Sequence, residues 1–122
     1  MKRRLLLPIL LAAASLAVVA QTSAMSAPKL IGTVGPGFTI KLVDGTGKKV
    51  TSLKAGKYTF VISDKASIHN FVLEGPGVER TITAVPFVGT KTVTVRLRPG
   101  TYEYYCRPHE AAGMKGKFKV TA

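Results

Sequence analysis

Thr92-Val93-Thr94-Val95-Arg96-Leu97-Arg98-Pro99-Gly100-Thr101-Tyr102-Glu103-Tyr104-Tyr105-Cys106 alternates apolar and polar residues on both sides of a Pro-Gly turn. Val93, Val95 and Leu97 fall on one face of the first run, opposite Thr92, Thr94, Arg96 and Arg98. Tyr102, Tyr104 and Cys106 share the inward face of the second run. A period of two with one polar face marks strands half buried in a sheet.

The same pattern spreads outward over residues 29 to 122. Phe38, Ile40 and Leu42 alternate with Thr39 and Lys41; Tyr58, Phe60 and Ile62 with Thr59 and Ser63; Phe118 and Val120 with Lys117, Lys119 and Thr121. Gly35-Pro36-Gly37, Asp44-Gly45-Thr46-Gly47, Lys54-Ala55-Gly56 and Gly75-Pro76-Gly77 separate the runs as turns. About eight strands are predicted, near residues 29–33, 37–43, 49–52, 57–63, 66–74, 80–85, 91–98 with 101–106, and 116–121. Many short strands with regular turns describe an all-β domain, either a β-sandwich or a small barrel.

The N-terminus reads differently. Met1-Lys2-Arg3-Arg4 precedes an apolar run, Leu5 to Ala20, and small residues crowd positions 17–27. A basic start, an apolar middle and a small-residue exit describe a secretory signal peptide. Its 16 apolar-run residues fall short of the ~20 that a membrane-spanning helix needs. Residues 1–27 are therefore read as a signal peptide with a short tail, and residues 28–122 as one domain, exported to the periplasm or secreted. The chain's formal charge is +12, and +9 remains once Lys2, Arg3 and Arg4 leave. Such a balance suits nucleic acid, anionic membrane or an acidic protein. Export removes nucleic acid, and the cations are scattered along the strands, as on a solvated basic surface.

Exported domains of this size often rely on disulfides. This chain has one cysteine, Cys106, so none can form within it. A lone thiol in an oxidising compartment needs burial, a partner chain or a metal. The chain also holds two histidines, His69 and His109, and one methionine beyond the leader, Met114. All four sit in two segments, Ser67-Ile68-His69-Asn70-Phe71 and Tyr104-Tyr105-Cys106-Arg107-Pro108-His109-Glu110-Ala111-Ala112-Gly113-Met114. A loop at one end of a sandwich turns Cys106, His109 and Met114 toward a common centre, and His69 arrives there from another strand. Two imidazoles, a thiolate and a distant thioether form the donor set of a blue copper site, cycling between Cu(I) and Cu(II). Met114 is the weak axial member of that set.

Cys-x-x-His-x-x-x-x-Met after an aromatic strand, with His-Asn upstream, resembles the cupredoxins of the plastocyanin and pseudoazurin type. The likeness runs over nearly all of residues 28–122 and is strongest from Pro99 to Val120. It implies a Greek-key β-sandwich with His69, Cys106, His109 and Met114 as copper ligands. It also implies that Asn70 ties the two ligand loops by hydrogen bonds. Two departures stand out. Only 36 residues lie between His69 and Cys106, and no acidic cluster is visible.

The function expected is single-electron transfer between redox partners by a monomer; storage or delivery of copper uses the same residues. A metal-free adhesive module is a further reading. Enzymatic roles are not suggested: a trinuclear copper cluster needs many histidines, and the six acids show no pair. His109 is expected as the exposed electron gate, since Pro108, Ala111, Ala112 and Gly113 around it are small. Tyr105 is expected to point outward by strand alternation. Arg107, Lys115 and Lys117 favour a partner with an acidic surface.

Overall fold

The computed structural model describes residues 13–19 and 26–122. The signal-peptide reading falls mostly outside them; residues 13–19 carry no regular secondary structure and are exposed. No helix of the described residues is long and apolar enough to cross a membrane.

Nine strands form among the described residues: β1 (Lys29–Val34), β2 (Ile40–Asp44), β3 (Ser52–Lys54), β4 (Gly56–Asp64), β5 (Phe71–Gly75), β6 (Val78–Thr83), β7 (Gly89–Leu97), β8 (Gly100–Tyr105) and β9 (Lys115–Thr121). They build two sheets, ordered β2-β1-β4-β7 and β3-β9-β8-β5-β6. β1 runs parallel to β4, and β3 parallel to β9; the other pairs are antiparallel. The chain crosses between sheets from β2 to β3, β3 to β4, β4 to β5, β6 to β7 and β7 to β8, so the expected Greek-key sandwich forms and the barrel does not.

The strand read as 91–98 with 101–106 is two strands in opposite sheets. Pro99 supplies no ladder N–H, so the run breaks there. The corner is pinned by Tyr102, whose hydroxyl accepts from the Arg98 N–H at 3.0 Å and donates to the Pro76 carbonyl at 2.9 Å. The strand expected over 66–74 starts only at Phe71, because residues 65–70 form a loop.

Alternation places Phe60, Ile62, Leu73, Tyr102, Tyr104 and Phe118 in a shared core. Tyr102 stacks on Phe118 with centroids 5.3 Å apart, and Phe71 on Tyr104 at 5.8 Å. Each such ring contributes about 1.5–3 kcal/mol by leaving water. Cys106 and Met114 belong to the same cluster, so one end of the core runs directly into the proposed donors.

Candidate metal centre

β8 ends at Tyr105, and residues Arg107–Ala112 form a short 3-10 helix that returns the chain to β9. This segment holds its own shape. The Cys106 N–H donates to the Met114 carbonyl at 3.0 Å, His109 N–H to the Cys106 carbonyl at 3.1 Å, and Met114 N–H to the His109 carbonyl at 3.2 Å. Gly113 closes the helix in the left-handed region, φ 97°, where side chains are disfavoured. Cys106 and Met114 are buried, whereas His109 is half-buried.

His69 comes from the loop between β4 and β5. Asp64 is buried at the end of β4, and its Oδ1 accepts from the Ala66 N–H at 3.3 Å. At the far side, Thr83 Oγ1 accepts from the Phe71 N–H at 3.0 Å. Asn70 Oδ1 accepts from the Arg107 N–H at 2.7 Å, so the tie between the two loops is present. His69 is fully buried, and its Nε2 has no protein partner among the described residues. On that side the ring is held by packing.

The loops bring three donor atoms together. His69 Nδ1 lies 3.1 Å from His109 Nδ1, and Cys106 Sγ lies 3.7 Å and 3.4 Å from those nitrogens. A point equidistant from three atoms so spaced lies about 2 Å from each, close to the length of an imidazole–metal bond. Three electron-pair donors facing one another are reconciled by a cation at their centre. Two nitrogens and a soft sulfur fit copper. Met114 enters through its backbone bonds to Cys106 and His109 and through its burial.

Phe38, read from sequence as a strand residue, belongs to this end instead. Its ring stands edge-to-face on both imidazoles, with centroids 5.4 Å from His69 and 4.8 Å from His109. The two histidines are 4.9 Å apart in the same manner. An aromatic directly after the Gly-Pro-Gly turn was the available signal.

Two expectations are corrected beside the site. Tyr105 does face away from the core but is only 4% exposed. Its hydroxyl donates to Glu74 at 3.0 Å, and the Arg107 guanidinium lies 5.7 Å from its ring. Burial and Glu74 raise its pKa. The acids are not scattered either: Glu74 is the register partner of both Glu79 and Glu103. Glu110 reaches Glu103, whose carboxyl is held above the usual range by burial and then by Glu110. Three acids therefore neighbour one another on the sheet, and Glu110 joins them from the 3-10 helix. The cations named beside the loop lie among them: Arg107 is 4.0 Å from Glu79, and Lys117 pairs with Glu103 in register.

A two-sheet sandwich with two imidazoles and a thiolate converging at one end defines the cupredoxin class. The chain belongs to the copper-binding proteins of the plastocyanin/azurin family, whose model matches residues 45–121. It is 30% identical over 96 residues to plastocyanin from Prochlorothrix hollandica, covering 67% of this chain and 72% of that protein. To amicyanin-alpha from Methylorubrum extorquens it is 37% identical over 70 residues, 56% of this chain and 57% of that protein. Among solved structures, reduced rusticyanin superposes with TM-score 0.52 at 25% identity, over 81% of this chain and 82% of that one. Auracyanin B gives TM-score 0.52 at 20% identity over 81% and 94%, a likeness of fold.

Proposed function

We propose that this chain is an exported blue-copper protein that binds one copper ion and shuttles single electrons between redox partners. His69 Nδ1, Cys106 Sγ and His109 Nδ1 are the strong ligands, and the Met114 thioether is the weak axial one. The observation that carries this reading is the triangle of donor atoms, 3.1–3.7 Å on a side. Copper in such a set supplies a one-electron couple with little rearrangement. The chain's own residues do the rest. Cys106 and His69 sit in dry surroundings, and the hydrogen bond from Arg107 to Asn70 keeps the two loops in register.

His109 is the ligand nearest solvent, and the surface around it is apolar. Phe38, Ile68 and Val88 are exposed by 63%, 51% and 58%, and all lie on loops at this end. Pro108, Ala111 and Ala112 are exposed beside them. A partner that covers this end comes close to His109. The mature charge of +9 favours a partner with an acidic surface, met by a monomer of residues 28–122. Periplasmic or secreted location follows from the N-terminal leader pattern.

Voltammetry of the copper-loaded protein tests this reading. A reversible one-electron wave is expected, together with association to an acidic redox protein that slows as salt rises. Copper that is redox-silent, or that passes readily as Cu(I) to an acceptor protein, supports storage or delivery instead.

A further inference from the structure

Three rings meet at the outer edge of the donor triangle. Phe38 is 63% exposed, His109 is half-buried and His69 is fully buried, so Phe38 is the outermost member. It leans on both imidazoles at once, with interplanar angles of 76° and 87°. Its side chain gives up burial to hold that position, because a phenyl ring left largely in water forgoes the stabilisation it would gain in the core. The backbone beneath it is built for the purpose. The Gly35 N–H donates to the Thr39 carbonyl at 2.9 Å, closing the turn that carries Phe38. Gly35 has φ +71°, and a Cβ there would lie 3.0 Å from His69 Cδ2. The turn is thus seated on the very ring that Phe38 covers.

We propose that Phe38 is a lid over the His69–His109 pair, which sets how readily small reagents reach the copper from solvent. The proposal rests on the copper site described above. Edge-to-face contacts of this kind favour the closed position of the ring. With both made, the ring is shut most of the time, and a chelator must wait for it to swing away. Ile68 and Val88 are comparably exposed at the same end but are not part of the ring trio, so apolar cover alone does not make them lids.

The test is the rate at which excess EDTA bleaches the thiolate–copper band of the Cu(II)-loaded protein. Phe38→Ala is expected to retain the band and to lose copper roughly five- to a hundredfold faster, the range spanned by losing two such contacts. Phe38→Tyr restores the slow rate, Phe38→Leu falls between, and Val88→Ala behaves as wild type. If Phe38→Ala and wild type bleach at the same rate, the lid is overturned while the copper site stands. A Phe38→Ala protein that no longer forms the band also overturns it, because the ring is then part of the site's construction. A Val88→Ala protein as fast as Phe38→Ala would reduce the effect to general apolar cover. If wild type forms no band, the copper reading itself fails and the lid with it.

Discussion

Residues 106–114 supply three of the four proposed ligands and hold themselves in place; residues 65–70 supply one and are held by their neighbours. The first segment closes on its own backbone, through bonds among Cys106, His109 and Met114. The second depends on the Asp64 carboxylate, the Asn70 bridge to Arg107, and the Gly35 turn against the His69 ring. Residues 106–114 fix the spacing between their own donors, and the longer-range contacts fix where the fourth donor arrives. Damage to the two should therefore look different.

The largest effect is expected where the two segments are joined. Asn70→Ala leaves the Arg107 N–H without its buried acceptor, at a cost of about 1–3 kcal/mol. Chemical denaturation should show that loss, and the copper band should shift because His69 and the Cys106 loop are no longer tied. An unshifted band with full stability would mean that the loops are independent. Next comes Gly35→Ala, which puts an L side chain into a left-handed backbone at about 1–2 kcal/mol. Its methyl also presses on His69 Cδ2, so this variant should disturb the copper spectrum. A comparable loss from Tyr102→Phe, at the other corner, should leave the spectrum alone, since that hydroxyl serves Arg98 and Pro76.

The smallest effect concerns the acids beside residues 106–114. Burial and Glu110 raise the Glu103 pKa above its ordinary 4.5. The folded state therefore holds that proton more tightly than the unfolded chain does. The stability this confers is complete below the unfolded pKa and is lost as pH rises through the folded one. Glu103→Gln removes that loss, so the variant should be more stable than wild type at pH 7 and no more stable in acid. A variant less stable than wild type at pH 7 would contradict the assignment.

The same contrast explains what could be read from sequence. Cys106, His109 and Met114 sit within one short stretch, so spacing alone brings them together. The alternation of Val93, Val95, Leu97, Tyr102 and Tyr104 carries the two-layer fold directly, because a period of two maps onto faces. His69 lies 37 positions from Cys106, and only strand pairing across the sheet unites them. Phe38 reads as a strand residue in sequence because its alternation with Ile40 continues past the point where the Gly35–Thr39 turn bends the chain. Glu74, Glu79 and Glu103 looked scattered because register, rather than sequence distance, makes neighbours across β5, β6 and β8. Tyr105 obeyed alternation, yet Glu74 and Arg107 covered it from the same outer face.

The donor triangle is the centre of this account, and Cu(II) titration of the purified protein followed by visible spectroscopy tests it most directly. One equivalent should produce an intense thiolate-to-copper charge-transfer band that is absent from Cys106→Ser. A wild-type protein that stays colourless, or a band that survives in Cys106→Ser, would contradict it.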